Sequence, residues 1–370
     1  MAEPLALQVT MAGDRGGAEA IIETLVEHLE AEGYRTAIAA PAGTPLAERW
    51  TRRGWPVLPL PPMPKFRDWR AGRVVSARIA EAIRASGASV VHTHGTAAQI
   101  FGGRAARPTG TPVVWQTHDR FHASWTVEGL LHRLAARERH DVVIAISRMV
   151  AQSLAGRVPA HQIMTVMNGV DPERVSPVGR EVPDAPLVVW CGRLQRWKGA
   201  HLFLEAAALI RGHVPDARFA VVGGTLFGLD QDYPAALRAQ VSALGLSEAV
   251  HWVGHVADAR SWLAAADVVV HSAVDPEPFG LVVAEAMMQS VPVVAFAQGG
   301  PAEMIVDGVT GALVPAGDTA AMARAVVAWL TDRDARAAAG QAARTHALAH
   351  FGATTMVRGV KTAYDRARGI

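Results

Sequence analysis

The chain has 370 residues, too many for one ordinary hydrophobic core and suited to two domains. Hydrophobic residues make up 50% and charged residues 19%, a balance that is typical of globular proteins and excludes a largely disordered chain. The formal net charge is only +2, and we expect no nucleic-acid partner.

The cysteine count and the hydropathy of the chain predict where in the cell the protein is located. The single Cys191 excludes an internal disulfide framework and favours a reducing environment. No leader-like segment is evident and no apolar run approaches about 18 residues, so we expect a cytoplasmic protein without a membrane span. Residues 1–180 hold 21 Lys and Arg against 16 Asp and Glu, and residues 181–370 hold 15 against 18. The more basic first half would suit an anionic membrane surface or acceptor, although it is within ordinary variation.

The pattern at the start of the chain predicts a strand, a glycine loop and a helix. Residues 5–11 are apolar, residues 12–19 contain Gly16 and Gly17, and a helical pattern follows. This order is typical of a doubly wound domain. The glycines would let the backbone approach a substrate closely, whereas a simple strand-to-helix turn is the alternative. No GxGxxG pattern is present, so a dinucleotide is not implied.

A proline-rich loop and a basic helix come next. After a strand at residues 36–40, residues 56–64 contain too many prolines for a helix or a central strand, and we predict a loop. The stretch 65–84 is the best candidate for contact with a membrane interface or an anionic acceptor, and a solvated basic helix face is the alternative. Its basic and aromatic residues are Lys65, Phe66, Arg67, Trp69, Arg70, Arg73 and Arg78.

Histidines follow two predicted buried strands. Residues 88–92 end at His92, with His94 just beyond, and residues 113–116 lead to His118 and Asp119. A metal site is disfavoured, because no cysteine pair accompanies these residues and we expect His92 and His94 on alternate sides of a strand. A further strand at residues 141–146 ends at Ser147, a helix cap.

A proline-spaced linker at residues 173–186 precedes the second domain. Its first strand, residues 187–191, leads to a loop that carries Arg193 and Lys198. At the carboxyl end of a strand such cations suit the two charges of a diphosphate, since Arg binds two oxygens at once and Lys acts as a point charge. Surface charges without a ligand are the alternative.

The stretch 275–285 is a loop that enters a helix. Prolines hold it extended, Gly280 has no Cβ to obstruct a ligand, and residues from Leu281 onward are apolar. The first amides of such a helix have no partner within it and can bind a phosphate. Glu277 and Glu285 flank this position, which suits a nucleotide-sugar, and a buried helix start with two incidental acids is the alternative.

These motifs, in this order, resemble the retaining GT-B glycosyltransferases of family four. That family has two glutamates with seven residues between them and Phe-Gly inside, as Glu277 and Glu285 have here. It also has a glycine pair followed by Glu, met by Gly16, Gly17 and Glu19, and the segment 299–303 is similar too, with Glu303 expected to cap a helix. The resemblance implies two facing Rossmann-like α/β domains with a cleft. They would be an acceptor-binding domain at 1–172, with helix 353–370 packed back on it, and a donor-binding domain at 187–352.

The resemblance also implies roles for individual residues. Arg193 and Lys198 would bind the diphosphate, Glu277 would orient the transferred sugar, and neutral His118 would hydrogen-bond a sugar hydroxyl. The residues that the resemblance places at the donor are Gly16, Gly17, Gly223, Val256, Phe279, Gly280, Leu281 and Glu285, the last at the ribose, and those on the acceptor side are Glu19 and Asp119.

The expected function is hexosyl transfer from a nucleotide-diphospho-sugar to an acceptor hydroxyl, with retention and without a metal or other cofactor. A sugar-nucleotide epimerase of the same fold and a non-catalytic nucleotide-sugar-binding protein are the alternatives. Backbone contacts to the base leave no trace in side chains, so the base, sugar and acceptor stay open.

Overall fold

The computed structural model describes residues 3–65, 68–121, 126–172, 185–225, 230–256 and 258–370. Contacts divide the chain into two units, one formed by Met1–Gly169 with Ala353–Ile370 and the other by Val170–Gly352. Each unit is an α/β layer structure around its own parallel sheet. The predicted linker lies almost wholly outside the described residues.

The first unit has a sheet in the order β3-β2-β1-β4-β5-β6-β7 within its described part, with all strands parallel. β1 therefore lies at the point where the strand order reverses, which is where ligands bind in open α/β sheets. The strands are β1 (Leu5–Val9), β2 (Arg35–Pro41), β3 (Val57–Leu60), β4 (Val90–His94), β5 (Val113–Thr117), β6 (Val142–Ala145) and β7 (Ile163–Thr165).

The second unit repeats this plan with the order β10-β9-β8-β11-β12-β13 in the residues described. Here β8 stands at the reversal, next to β11. The strands are β8 (Leu187–Cys191), β9 (Arg218–Val222), β10 (Val250–Gly254), β11 (Val268–His271), β12 (Val293–Phe296) and β13 (Gly311–Val314).

Helices connect successive strands, as parallel pairing requires. In the first unit they are α1 (Gly17–His28), α2 (Pro45–Arg52), α3 (Trp69–Ser86), α4 (Gly95–Ala106), α5 (Val127–Arg137) and α6 (Arg148–Ser153). In the second unit they are α7 (Ala200–His213), α8 (Tyr233–Ala243), α9 (Arg260–Ala264), α10 (Leu281–Met288), α11 (Gly299–Met304), α12 (Thr319–Thr331) and α13 (Arg333–His350), and α14 (Ala353–Arg368) belongs to the first unit. None of the described helices is both long enough and apolar enough to cross a bilayer.

Central strands are fully buried Val- and Ile-rich runs, which is why their positions could be predicted. Ser147 caps α6 as expected, since its hydroxyl accepts a hydrogen bond from the Val150 amide at 3.2 Å. Two edge strands were not predicted. Part of the expected proline loop forms β3, where Pro59 is tolerated because β3 is the edge strand of the sheet among the residues described and pairs there with β2. The other is β13, which begins at Gly311.

The last helix is fixed to the first unit by a buried tyrosine. The ring of Tyr364 is fully buried, and the Tyr34 hydroxyl donates to Asp365 at 2.8 Å. α14 thereby brings a residue from the end of the chain against β1 and β4.

Candidate active site

Three polar side chains meet at the carboxyl ends of β8 and β11 in the second unit. The Lys198 Nζ lies 2.5 Å from Glu277 Oε1, and the His271 Nε2 lies 2.5 Å from Glu277 Oε2. Lys198 follows β8, His271 ends β11, and Glu277 lies in the loop that leads to α10. We call these three residues the Glu277 cluster.

Glu277 is an ionised carboxylate in this cluster. Its side chain is 13% exposed, and that of Lys198 is 14% exposed. Burial alone would raise the pKa of Glu277, but the Lys198 ammonium and the His271 ring outweigh burial and hold the pKa well below its usual range. A charged carboxylate accepts only, so His271 donates its Nε2 proton to it.

Trp197 lies against both cations of the loop after β8. Its ring centroid is 4.4 Å from Lys198 Nζ and 5.8 Å from the guanidinium carbon of Arg193. Its indole donates to Gln195 at 3.2 Å, and its carbonyl accepts from the Val274 amide at 2.7 Å. The tryptophan therefore ties the Arg193 and Lys198 loop to the loop that carries Glu277.

Glycines allow two loops to approach each other around Glu277. Gly280 adopts φ +95° and caps α10, which begins at Leu281 as predicted. A Cβ on Gly299, at φ +64°, would lie 2.5 Å from the Glu277 carbonyl oxygen, and one on Gly300 would lie 2.2 Å from that of Phe279. The Gly300 amide donates to the Glu277 carbonyl at 2.7 Å. The loop before α10 is thus held in close contact with α11.

Phe279 and Glu285 differ in what they expose. The Phe279 side chain is buried and packs edge-to-face on Phe351, so it is not open to a ligand. Glu285 is half-buried on α10, about 6 Å along the helix from Leu281. Burial raises the pKa of the Cys191 thiol to about 12, and the nearby Glu285 charge adds to this effect. Cys191 is therefore an unreactive thiol beside Glu285.

The other predicted donor positions lie at neighbouring strand ends. Gly223 follows β9 with φ +137°, and a Cβ there would lie 1.8 Å from the Gly192 carbonyl oxygen. Val256 follows β10 and is half-buried. Gly223 therefore has a packing reason to be glycine, apart from any ligand. Glu303 lies in the last turn of α11 and does not cap it, since the cap residue is Gln298.

A cavity of about 630 Å³ lies beside the cluster and is distinct from it. Its lining includes Trp197, His201, Tyr233 and Asp275. Neither Lys198 nor Glu277 is among the residues that line it, so this cavity and the charged cluster are separate features.

In the first unit, the Glu19 carboxylate hydrogen-bonds the glycine loop that follows β1. The Gly16 amide donates to Glu19 Oε2 at 3.0 Å, and the Thr10 hydroxyl lies 3.5 Å from Glu19 Oε1. Burial raises the pKa of this carboxyl, although hydrogen bonds and Arg15 oppose the effect. Glu19 thus supports the loop that presents Gly16 and the exposed Gly17.

Three histidines of the first unit, His92, His94 and His118, form one cluster. The expectation that His92 and His94 occupy alternate sides of a strand is wrong, because residues two apart share a face of a strand. Their ring centroids are 4.1 Å apart, and His94 Nδ1 lies 3.3 Å from His118 Nε2. His118 is partly exposed at the end of β5, whereas Asp119 beyond it is exposed.

These histidines are neutral. Burial lowers the pKa of His92 to about 3 and that of His118 to about 4, and it lowers the pKa of His94 well below its usual value. Repulsion from neighbouring rings adds to the effect at His92 and His94. A neutral imidazole carries one donor and one acceptor nitrogen, so each contact in the cluster has a direction.

Sequence reasoning identified Lys198, Glu277 and His118 but not their neighbours. It assigned Lys198 and Glu277 to different parts of a ligand, whereas the structure places them in contact. It overlooked His271, although a histidine that ends a strand six residues before Glu277 is a usable signal.

Comparison with known families gives two matching models. The model described as Glycosyltransferase Family 4 matches residues 15–174, and the model described as Glycosyl transferases group 1 matches residues 173–346. Together they cover most of the chain and meet at the predicted linker.

Individual relatives agree with these matches. A D-inositol 3-phosphate glycosyltransferase 2 from Catenulispora acidiphila is 32% identical over 61% of this chain and 57% of its own length. The lipopolysaccharide core biosynthesis mannosyltransferase LpcC from Rhizobium leguminosarum bv. viciae is 31% identical over 65% of this chain and 72% of its own length. The match with the Catenulispora protein thus spans little more than half of that relative.

The fold also has solved counterparts. The crystal structure of Anabaena HepE in complex with UDP-glucose superposes with a TM-score of 0.84 at 26% identity, over 97% of this chain and 98% of that one. This agreement confirms the predicted two-domain α/β architecture of the GT-B type.

Proposed function

We propose, from the premise that the chain belongs to the group 1 glycosyltransferases, that it transfers a hexosyl group from a nucleotide-diphospho-sugar to an acceptor hydroxyl. The observation that carries this proposal is the Glu277 cluster at the β8 and β11 strand ends, next to the first turn of α10. A cation, a fixed carboxylate and helix amides at one strand-order reversal suit a ligand that joins a diphosphate to a sugar.

Arg193 and Lys198 would hold the diphosphate. The Lys198 ammonium has three N–H groups, and its contact with Glu277 occupies one of them. The amides of residues 279–281 would add donors without a charge. This set would stabilise the negative charge that grows on the leaving group, so we propose that no metal or other cofactor takes part.

Glu277 would hydrogen-bond the transferred sugar and Glu285 the ribose. Ionisation of Glu277 matters here, since a carboxylate accepts from two hydroxyls at once. His271 donates to Glu277 and would hold it in position. In the first unit, Gly16, Gly17 and His118 would contact the sugar end of the donor, with Asp119 near the acceptor.

The reaction would retain the anomeric configuration. The bond from the anomeric carbon to the phosphate oxygen breaks as the acceptor oxygen bonds to that carbon from the same face, and the acceptor proton passes to the departing phosphate oxygen. The unreactive thiol of Cys191 supplies no nucleophile. UDP-glucose is the first donor to test, because HepE was crystallised with it.

We propose a cytoplasmic protein. A peripheral position at the membrane would suit the exposed start of α3. Trp69 is 60% exposed and Val74 is 53% exposed. The guanidinium carbons of Arg70 and Arg73 lie 5.4 and 5.3 Å from the Trp69 ring centroid. An exposed aromatic ring surrounded by arginines is typical of contact with anionic lipid headgroups. Phe66 and Arg67 of this stretch lie outside the described residues.

The proposal is tested by incubation with UDP-, GDP- and ADP-sugars. We expect the sugar-nucleotides of one base to raise the midpoint of the protein's thermal unfolding. In the absence of an acceptor the preferred donor should be hydrolysed slowly, and the released sugar should keep its anomeric configuration. The Lys198→Ala variant should lose both effects. Release of an altered sugar-nucleotide, or saturable binding without turnover, would overturn the proposed transfer.

A further inference from the structure

A row of polar side chains crosses the buried middle of the first sheet. Gln8 on β1 pairs in register with His92 on β4, and His94 pairs with Gln116 on β5. All four side chains are at most 5% exposed. The row ends at the partly exposed His118, and Tyr364 of α14 covers its middle.

The hydrogen bonds that lead from Gln8 to His118 have one fixed order of donors and acceptors. His94 Nε2 lies 2.8 Å from Gln8 Oε1, which can only accept, so His94 carries its proton on Nε2. Because His94 is neutral, its Nδ1 is an acceptor. His118 Nε2, 3.3 Å away, must then be the donor.

The other half runs in a compatible direction. Gln8 Nε2 donates to the Tyr364 hydroxyl at 3.0 Å, which leaves that hydroxyl to donate to His92 Nδ1 at 2.8 Å. His92 then carries its proton on Nε2, next to Gln116, whose own Nε2 donates to Asn168 at 3.2 Å.

Two buried atoms support this direction over its reverse. In the described residues, His92 Nε2 and Gln116 Oε1 are buried without a hydrogen bond. In the direction above they are a donor and an acceptor on neighbouring side chains, so they attract each other. The reverse direction would place two acceptors together unless the amides of Gln8 and Gln116 were both turned round.

We infer that Gln8 is a positioning residue that acts through His94 to keep the proton of His118 on Nε2, so that Nδ1 accepts a hydrogen bond from a hydroxyl of the bound sugar. This inference rests on the proposed function and adds a specificity to it. The sugar must present a hydroxyl that donates at this position, and an analogue that can only accept there, such as one carrying fluorine, is transferred slowly.

The first test needs no variant of the row. Long-range proton–nitrogen correlation spectra of the ¹⁵N-histidine-labelled protein at neutral pH distinguish the two tautomers, and loss of a signal in His118→Asn identifies His118. We expect a single tautomer with the proton on Nε2. A proton on Nδ1, or a mixture of tautomers, would overturn the inference.

The second test changes Gln8. Gln8→Met removes the acceptor at similar volume, so His118 should become a tautomer mixture, and kcat should fall about tenfold, as expected for one hydrogen bond to the substrate, with unchanged affinity for the nucleotide diphosphate. Gln8→Glu keeps an acceptor for His94 whether or not the carboxyl is protonated, and it should restore the Nε2 tautomer and most of the rate. A tautomer mixture without any loss of kcat would refute the positioning role.

Gln99 offers a matched control. It is fully buried in the same unit but hydrogen-bonds Thr93 and the Arg139 carbonyl, outside the row. Gln99→Met should leave the His118 tautomer unchanged, and a change there would show a general packing effect. The spectra do not depend on turnover. A wild type with the expected tautomer and no transfer would contradict the proposed function alone, and transfer with a different tautomer would contradict this inference alone.

Discussion

At the scale of single residues, the ion pair in the second unit makes a sharp prediction. Glu277→Gln keeps the shape but removes the charge that holds Lys198 and His271, so we expect turnover to fall about a hundredfold, as for a small misplacement of catalytic groups. His271→Ala should cost about tenfold, because it removes only one hydrogen bond to Glu277. Single-turnover rates with saturating donor measure both effects, and the double variant should be no worse than Glu277→Gln.

Arg196 serves as the control for this prediction. It lies two residues before Lys198, and its guanidinium is 2.5 Å from Asp232 in an exposed ion pair. Arg196→Ala should leave the rate close to that of the wild type, since exposed pairs contribute little. Equal losses in Arg196→Ala and Glu277→Gln would mean that any charge change in this loop is harmful.

The sequence predicted the charged residues of this site better than their contacts. Lys198 and Glu277 stand out because each occupies a loop at a strand end, which is a local property. Their 2.5 Å contact joins positions 79 residues apart and depends on β8 and β11 being neighbours in the sheet. No local sequence pattern gives the order of strands in a sheet, so the sequence did not distinguish His271 from any other residue at a strand end.

At the scale of elements, α3 gives a test of membrane contact. Each basic side chain near an anionic surface contributes about 1 kcal/mol, so the variant with both Arg70→Gln and Arg73→Gln should bind phosphatidylserine vesicles roughly thirtyfold less tightly. Cosedimentation at low salt measures this affinity. The exposed Arg324 on α12 provides a matched change, and Arg324→Gln should bind as the wild type does. Vesicle binding that is weak in every protein, or equally reduced by both changes, would contradict the proposed contact.

Elements could be predicted where burial on both faces leaves an unbroken apolar run, as at Leu187–Cys191. The two strands that were not predicted, β3 and β13, lie at the edges of their sheets. β3 contains Pro59 and β13 begins at Gly311, and each residue disfavours a central strand while an edge tolerates it. The close contact of Gly299 and Gly300 with the loop before α10 could not be predicted either, because a sequence does not show which backbone atoms lie opposite a glycine.

At the scale of the whole molecule, the histidine row depends on the two ends of the chain. Tyr364 reaches His92 across 272 positions, and Gln8 reaches Tyr364 across 356. No spacing rule in a sequence connects such residues. The resemblance to a known family supplied the architecture and the role of His118, but the row behind His118 follows only from the packing of α14 on β1 and β4.

The same row predicts how stability depends on pH. The folded pKa is about 3 for His92 and lower than usual for His94, whereas unfolded histidine has a pKa of about 6.5. Below about pH 6.5 the unfolded chain therefore binds protons that the folded chain does not, so the free energy of unfolding falls as the pH falls. Each fully buried histidine contributes up to about 1.4 kcal/mol per pH unit in this range, and the contribution is fully present above pH 6.5.

Hydrogen exchange of peptides from β4 and β5, corrected for intrinsic rates, measures this dependence between pH 7 and pH 5. His92→Gln removes one titrating group while keeping a polar side chain, so its slope should be smaller than that of the wild type by up to about 1.4 kcal/mol per pH unit, a difference that is approached near pH 5. His213 is exposed at the end of α7 in the other unit, and His213→Asn should keep the wild-type slope. Equal slopes in wild type and His92→Gln would show that His92 is protonated in the folded state, which contradicts a neutral histidine row.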